Sequence, residues 1–347
     1  MTDVAAPRSS RRALWLAGAA IAVAGFAWIF SRLDVQHLGS LIAKADVRYL
    51  GLVPLAVAVE QLIRAWKWRQ ILRSLKPIGT MRLFGAIMSG YFASLLAPVI
   101  GVGPRVRAWL ISRLEGLPTA SVLASIAVDR FVDALVFVVI VAYVIVFAVF
   151  PDPQGRVRLG LIAGVAASVV VLGLALAALW HQKRQIAAEV GWLLRLADRL
   201  PSRFAQRARV LLVSFTDAIL WPGEGWRRTG IVLASVLIKL IAASQILWAG
   251  LAFGVLLHPL DYLFILALLG FFAFVAHVVR VPGGFLLGAV FALGQFGVSE
   301  DRALAIAMIV FFSSIATVAV IGAFNLWHHG IALGELRTQD VADDVRA

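Results

Sequence analysis

The amino-acid sequence predicts an all-α fold, a polytopic membrane helical bundle of about six spans and two re-entrant hairpins. Of its 347 residues, 61% are hydrophobic and only 15% are charged, whereas a soluble chain has about 25% charged residues. The apolar residues occur in long runs, and Lys and Arg gather in the connections between these runs. The whole chain, residues 1–347, is therefore expected to be a single integral membrane domain.

Charge and composition exclude several classes of function. The 32 Lys and Arg residues outnumber the 19 Asp and Glu residues, which gives a net charge of +13. Because the basic residues lie between apolar runs, the positive-inside rule explains them, and no nucleic-acid partner is expected. The sequence has no cysteine, no Walker-type phosphate loop, no zinc spacing among its six histidines and no Gly-x-Ser-x-Gly elbow. We therefore expect no catalytic residue, no metal and no cofactor, and an enzyme is the weaker alternative.

The first predicted span is Ala13 to Phe30, an uncharged run of 18 residues that follows a basic N-terminus. Basic residues ahead of a span place the N-terminus in the cytoplasm. A cleaved signal peptide is the alternative, but its apolar region is normally only about 7 to 15 residues long. We therefore expect a retained helix.

The second predicted span is Tyr49 to Arg64, and it runs into the basic sequence Arg64-Ala-Trp-Lys-Trp-Arg. This sequence is interpreted as a cytoplasmic anchor, with its tryptophans at the level of the lipid headgroups. Glu60 and Arg64, four residues apart, are expected to form a local ion pair at that interface.

A short apolar run from Leu83 to Ala97 is followed by a stretch rich in Gly and Pro. An apolar run of about 10 to 14 residues with such a break is typical of a re-entrant segment. We predict a first hairpin that enters from the cytoplasm and returns there. Its breaking residues are Pro98, Gly101, Gly103 and Pro104.

The middle of the chain contains a third span, Ser121 to Phe150, and a fourth, Leu159 to Trp180. Residues 181–228 are basic, with apolar residues at helical spacing. This pattern is typical of an amphipathic helix at the cytoplasmic headgroup surface, and a solvated helical linker is an equal alternative.

The last part of the chain repeats the order of the first part. Thr229 to Leu257 is the fifth span, Tyr262 to Leu293 is interrupted like the first hairpin, and Arg302 to Leu326 is the sixth span. We predict a second hairpin that enters from outside. Its breaking residues are Pro282, Gly283 and Gly284.

The predicted elements form two halves, residues 13–150 and residues 157–327, with the same order in opposite orientation. Interrupted segments at corresponding positions of two inverted halves indicate a transport site near the membrane midplane. A plain bundle of eight full spans also crosses the membrane an even number of times. The positive-inside pattern alone therefore leaves both arrangements open.

Ionisable residues inside the predicted spans are candidates for function, because each costs about 2.5 to 3.5 kcal/mol on insertion scales. Asp129 and Asp133 lie one turn apart in the third span, with Arg130 beside them. Lys239 lies at a similar depth in the fifth span. We expect Lys239 to face the two aspartates; the opposing prediction is that it snorkels alone. A purely structural ion-pair network is an equal alternative to a functional role.

Basic residues at the two breaks are further candidates for binding. Arg105 and Arg107 follow the first break, and His277 and Arg280 lie in the second. Free backbone amides and arginine guanidinium groups together suit an anion, and the arginine fork suits phosphate. This chemistry indicates a phosphate-bearing ligand, although positive-inside anchoring also accounts for Arg105 and Arg107.

Over roughly Tyr49 to Leu326 the sequence resembles the membrane domain of the lysylphosphatidylglycerol synthase family of flippase-like proteins. The family pattern is a proline, then Gly-Glu-x-x-Arg, and later an acidic residue before Arg-x-x-Asp. The corresponding residues here are Pro98, Gly103-Pro104-Arg105-Val106-Arg107 and Asp129-Arg130-Phe131-Val132-Asp133. The Arg-Ala-Trp-Lys-Trp stretch and the turn at Pro282-Gly283-Gly284 are also similar. Two family glutamates are missing, since Pro104 replaces one and none follows Gly284.

The resemblance implies a lipid flippase or scramblase of the bacterial inner membrane, a stand-alone member without the soluble aminoacyl-transferring domain. The implied ligands are membrane lipids: anionic phospholipid, polyprenyl-phosphate-linked lipid or hopanoid. The sequence leaves a homo-oligomer open. One alternative is a non-transporting accessory subunit that recruits a cytoplasmic lipid-modifying enzyme through residues 181–228. Another is a polytopic lipid-linked glycosyltransferase.

Overall fold

A computed structural model describes residues 35–96, 101–148, 155–170, 173, 224–279 and 284–331. These ranges contain helices joined by turns and bends, with no strand, which confirms the predicted all-α membrane fold. The helices are α1 (Val35–Ala43), α2 (Val47–Leu72), α3 (Thr80–Leu96), α4 (Val102–Glu115), α5 (Thr119–Phe147), α6 (residues 156–170), α7 (Gly225–Ala252), α8 (Pro259–Val279), α9 (Gly284–Gly294) and α10 (Glu300–His328).

Within the described ranges, four helices are long and apolar enough to cross a membrane, and they make the chain a multi-pass membrane protein. They are α2, α5, α7 and α10, with 26, 29, 28 and 29 residues, or about 39 to 44 Å at 1.5 Å per residue. They coincide with the second, third, fifth and sixth predicted spans. The predicted span Ala13 to Phe30 lies outside the described residues. So do most of the basic segment 181–228 and the second half of the fourth span.

Two pairs of shorter helices occupy the positions of the predicted hairpins. In the first pair α3 ends at Leu96 and α4 begins at Val102; in the second, α8 ends at Val279 and α9 begins at Gly284. At about 26 and 21 Å, α3 and α4 are shorter than a hydrocarbon core of about 30 Å. Pro98, Pro282 and Gly283 lie outside the described residues. Re-entry from one side of the membrane and the inverted repeat therefore stay predictions.

Helices α3 and α4 pack so closely that their backbones touch at two glycines. A Cβ atom on Gly103 would lie 2.4 Å from Ser94 Oγ and 2.9 Å from the Gly90 carbonyl oxygen. A Cβ atom on Gly90 would lie 2.7 Å from the Gly103 carbonyl oxygen. Because backbone atoms cannot move away independently, only glycine fits at these two positions.

Replacing Gly103 with alanine is therefore expected to lower the free energy of unfolding by about 2 kcal/mol, the cost typical of overpacking. Denaturant titration of the purified protein in detergent measures this change. Gly79→Ala is the matched control, since a Cβ atom at Gly79 meets nothing within 4 Å. Equal stability of the two variants would contradict the close helix contact.

The described residues pack into two compact units, each drawn from both predicted halves of the chain. The first unit comprises residues within 1–53, 144–161 and 243–312, and the second comprises those within 54–143, 162–242 and 313–347. In the first unit, Tyr49 stacks on Trp248 with ring centroids 6.4 Å apart. The Asp46 backbone N–H donates a hydrogen bond of 3.0 Å to the Ala252 carbonyl oxygen.

The second unit contains a large hydrophobic core, which is built on the same helices as the charged residues described below. Its largest fully buried apolar side chains include Trp68, Leu72, Leu83 and Leu110. Helix α10 packs on α3 through small residues, because a Cβ atom on Gly322 would lie 2.6 Å from the Met88 carbonyl oxygen. The same contact carries hydrogen bonds, one of which runs from Asn325 Nδ2 to Ser89 Oγ at 2.8 Å.

Candidate functional site

Buried charge is concentrated in the second unit, where α2, α4 and α5 contribute basic and acidic side chains. Five charged residues there are 6% exposed or less: Arg64, Lys67, Arg107, Asp129 and Asp133. We call these five, together with Glu60, the charged cluster. Two of its helices, α2 and α5, are membrane-spanning candidates. A concentration of charge inside such helices is costly unless the groups pair with one another or with a ligand.

Lys67 is the centre of the charged cluster and is fully buried. Its Nζ lies 2.5 Å from Asp133 Oδ1 and 2.8 Å from Asp129 Oδ1. It also donates a hydrogen bond of 3.2 Å to Ser235 Oγ on α7. A single ammonium group therefore joins three candidate spans and faces two carboxylates.

Arg64 lies one turn before Lys67 on α2 and extends the same network. Its Nη1 donates a hydrogen bond of 2.6 Å to Asp133 Oδ2, and its Nη2 lies 3.2 Å from Glu60 Oε1. The predicted pair with Glu60 therefore forms. The Arg64 and Glu60 side chains are only 6% and 12% exposed, so the pair is buried inside the protein, and its location at the membrane interface stays a prediction.

Arg107 projects from α4 to the other side of Asp129. Its guanidinium carbon lies 3.6 Å from the centroid of the Trp68 ring, a cation–π contact. Its Nη2 is 3.8 Å from Asp129 Oδ2, which is an ion pair but too long for a hydrogen bond. Within the described part of the chain, Arg107 Nε and Nη2 have no hydrogen-bond partner. Arg107 is thus a buried cation with donor capacity left over.

Trp68 supports Arg107 from deep inside the protein, since its side chain is fully buried. Its indole Nε1 donates a hydrogen bond of 3.0 Å to Ser125 Oγ on α5. Arg64, Lys67 and Trp68, which the sequence pattern assigns to an interfacial anchor, therefore have their side chains inside the protein and not on its surface. These residues share one face of α2 because they are spaced by three and four positions.

Arg130 and Lys239, two further candidates, lie at the margin of the charged cluster. Arg130 is exposed, and its Nη2 donates a hydrogen bond of 3.2 Å to the Tyr91 hydroxyl on α3. The Lys239 Nζ lies 5.1 Å from the centroid of the Phe137 ring and interacts with Asp133 at longer range. The cation in direct contact with both aspartates is Lys67, which sequence reasoning did not select.

The remaining candidates lie elsewhere or outside the described residues. Arg105 is exposed on α4. Gly101, just before α4, has the positive φ of 86° that glycine tolerates. His277 lies on α8, and Arg280 is outside the described ranges. No group of three or more His, Asp or Glu side chains in the described ranges is arranged to hold a metal ion.

Glu115, at the end of α4 and outside the four long spans, forms a second and smaller ion-pair site. Its carboxylate lies 2.9 Å from Lys76 Nζ and also contacts Arg82 Nη1. Burial of this carboxyl raises its pKa, but hydrogen bonds from Arg82 and Lys76 outweigh burial and lower the pKa of Glu115 from its ordinary value of 4.5. This site joins the turn between α2 and α3 to the end of α4.

A lowered pKa means that Glu115 stabilises the folded state above pH 4.5 and that this contribution is lost as the pH falls through the folded-state pKa. Because both basic partners are well exposed, the contribution is expected to be less than about 1 kcal/mol. Melting temperatures of wild type and Glu115→Gln should therefore differ slightly at pH 7 and converge as the pH falls below 4.5. A constant difference from pH 7 to pH 3 would contradict this assignment.

Comparison with known proteins identifies the family of this sequence. The chain is 30% identical over 132 residues to a protein named Glycosyltransferase AglD from Haloferax volcanii; the match covers 37% of this chain and 21% of that protein. The chain thus matches about a fifth of that relative's length. No solved structure matches the chain significantly. The family described as Lysylphosphatidylglycerol synthase TM region matches residues 15–322, which include every residue of the charged cluster. The chain therefore belongs to the lysylphosphatidylglycerol synthase transmembrane-region family.

Proposed function

We propose that the protein is a flippase or scramblase that moves a lipid with a phosphate-bearing headgroup between the two leaflets of a membrane. The observation that carries this proposal is the buried charged cluster on the membrane-spanning helices α2 and α5. Ionisable residues at such positions commonly mark the path of a polar substrate. The lipid tails would stay in the bilayer while the headgroup passes through the protein.

The state of Arg107 supports a binding role over a purely structural one. Lys67 and Arg64 each hold a carboxylate at 2.6 Å or less, as expected of a structural network. Arg107 is as deeply buried, yet two of its nitrogen atoms lack a hydrogen-bond partner in the described residues. An arginine fork is well suited to two oxygen atoms of a phosphate.

The N-terminus of α4 adds backbone donors on the same helix as Arg107, which lies in its second turn. Of the first N–H groups of this helix, those of Val102 and Gly103 have no carbonyl partner within it, because Pro104 has no N–H and the Arg105 N–H donates to the Gly101 carbonyl oxygen. The N-terminus also carries a partial positive charge. We expect the headgroup to approach this end of α4. The proposed location is the bacterial inner membrane with the N-terminus in the cytoplasm, and the proposed exchange needs no nucleotide.

Exchange of lipid between leaflets tests the proposal. Purified protein is reconstituted into vesicles that contain traces of a fluorescent anionic phospholipid or a labelled polyprenyl phosphate, and an impermeant quencher reports the outer-leaflet fraction. Vesicles with an unrelated helical membrane protein are the control. The proposal predicts that about half of the label stays protected at first and becomes accessible with time only when this protein is present. Folded protein that exchanges neither lipid would overturn it.

The similarity to a protein named as a glycosyltransferase favours a second candidate function. Under this alternative the protein is a membrane subunit that presents a lipid-linked sugar to a glycosyl-transferring enzyme, or transfers the sugar itself. It predicts turnover of a lipid-linked sugar by the purified protein, alone or with a soluble partner, and no leaflet exchange. The two functions are therefore separated by the same reconstituted vesicles.

A further inference from the structure

Tyr91 contacts Arg130 at the edge of the charged cluster. The Tyr91 hydroxyl on α3 accepts a hydrogen bond of 3.2 Å from Arg130 Nη2 on α5. Tyr91 also interacts electrostatically with Arg107 on α4, and the two helices are close there, since a Cβ atom on the neighbouring Gly90 would be 3.1 Å from Arg107 Cβ. Three neighbouring helices therefore bring a hydroxyl group and one guanidinium group into contact, with a second guanidinium group within electrostatic range.

The contacts divide the basic residues into two sets. Lys67 and Arg64 form short contacts with the carboxylates of Asp129, Asp133 and Glu60. Arg107, by contrast, reaches a carboxylate oxygen only at 3.8 Å, and Arg130 donates to the neutral Tyr91 hydroxyl. The first set is paired with carboxylates at short range, whereas Arg107 in the second set keeps two nitrogen atoms without a hydrogen-bond partner in the described residues.

The balance of charge indicates how many negative charges that anion carries. Three cationic side chains and three carboxylates balance within the charged cluster itself, and Arg130 and Lys239 at its margin add an excess of two positive charges among the described residues. The members are Glu60, Arg64, Lys67, Arg107, Asp129, Arg130, Asp133 and Lys239. Uncompensated charge among membrane-spanning helices is costly. A ligand with two negative charges would neutralise the excess completely.

We propose that Tyr91, Arg107 and Arg130 form a subsite for a phosphate group with two negative charges, as in a phosphomonoester or a pyrophosphate, in preference to a singly charged phosphodiester. The proposal rests on the proposed function and names the headgroup class for the same site. Arg107 and Arg130 hold separate phosphate oxygens, and the Tyr91 hydroxyl donates to a third oxygen. Trp68 fixes the plane of the Arg107 fork through the cation–π contact at 3.6 Å.

The pH dependence of binding distinguishes the two classes of phosphate. A phosphomonoester gains its second negative charge near pH 6, whereas a phosphodiester keeps one charge throughout. Binding of a monoester should therefore strengthen between pH 5 and pH 7.5, and binding of a diester should not. The protein groups that face the subsite are the eight charged residues above and Tyr91. Titration of these groups would change the affinity for both lipids alike, so the affinity for the diester serves as the reference.

The experiment measures equilibrium binding to the purified full-length protein in lipid nanodiscs. The probes are a polyprenyl monophosphate, phosphatidylglycerol and inorganic phosphate. The variants are Arg130→Gln and Tyr91→Phe, because Arg130 is exposed and loss of a hydroxyl group leaves the ring in place. The matched control is Arg113→Gln, an exposed arginine on α4 that also contacts a tryptophan, with its guanidinium carbon 5.3 Å from the centroid of the Trp109 ring.

We expect wild type to bind the monophosphate about tenfold more tightly than phosphatidylglycerol at pH 7.5, and the preference to shrink at pH 5. Arg130→Gln should weaken monophosphate binding about tenfold, and Tyr91→Phe should weaken it severalfold. Arg113→Gln should bind like wild type. Inorganic phosphate that competes only at far higher concentration identifies a lipid as the source of the phosphate, and competition at equal concentration identifies free phosphate.

The dianionic subsite would be overturned if wild type bound both lipids with equal affinity at both pH values. It would also be overturned if Arg130→Gln bound the monophosphate as tightly as Arg113→Gln. Leaflet exchange of phosphatidylglycerol by that same protein would leave the proposed function intact. Conversely, tight and pH-dependent monophosphate binding without exchange of either lipid would contradict the proposed function and leave the subsite standing. Circular dichroism of each variant establishes that it is folded.

Discussion

Replacing Lys67 with methionine is expected to lower the free energy of unfolding by about 3 to 5 kcal/mol, the cost typical of removing one partner from a buried ion pair. Lys67 is fully buried and contacts Asp129 and Asp133 at 2.8 and 2.5 Å. Methionine fills a similar volume, so the loss reflects charge and not a cavity. Denaturant titration in detergent measures the change.

Lys76→Met is the matched control for this prediction. Lys76 also pairs with a carboxylate, that of Glu115, but its side chain is 43% exposed. Exposed pairs contribute about 0 to 1 kcal/mol, so this variant should stay close to wild type. If Lys67→Met unfolds at the same denaturant concentration as Lys76→Met, Lys67 is not the centre of the network.

The second large effect is expected at Asp133, which accepts contacts from Arg64 and Lys67 on its two carboxylate oxygens. Replacing Asp133 with asparagine should lower the free energy of unfolding by about 3 kcal/mol, since both cations lose a charged partner. The double variant with Arg64→Gln removes both members of one pair. Its destabilisation should be smaller than the sum of the two single effects by at least about 1 kcal/mol.

Additivity of these two substitutions within about 0.5 kcal/mol would mean that Arg64 and Asp133 do not interact. The pair Lys76→Met and Asp133→Asn provides the control cycle, because Lys76 forms its ion pair with Glu115 and not with Asp133. Additive behaviour is expected there. Comparison of the two cycles, each built from its double variant and both single variants, isolates the energy of one contact.

The four long helices and the start of α4 after Gly101 could be predicted from the sequence because they depend on local composition. Runs of apolar residues set the long helices, and Gly101 adopts the positive φ that precedes α4. The acidic pair could also be predicted, since Asp129 and Asp133 are one turn apart on any helix. Each of these features needs only the sequence around it.

The role of Lys67 could not be predicted, because a lysine after an apolar run usually snorkels to the interface. Only the packing of α2 against α5 shows that this lysine points inward at two aspartates. The same limit applies to Gly90 and Gly103, whose contact depends on the register between α3 and α4. A weak signal was present, since Arg64 and Lys67 are three residues apart and the two aspartates are four apart, and either spacing places a pair on one face of a helix.

If a lipid headgroup passes through the charged cluster, the rate of leaflet exchange depends on Arg107. The measurement is the rate of leaflet exchange in vesicles with equal amounts of wild type, Arg107→Gln or the exposed control Arg113→Gln. Loss of a charged hydrogen bond to the headgroup should slow exchange about tenfold or more in Arg107→Gln and leave Arg113→Gln at the wild-type rate. Folded Arg107→Gln that exchanges lipid as fast as wild type would contradict the account.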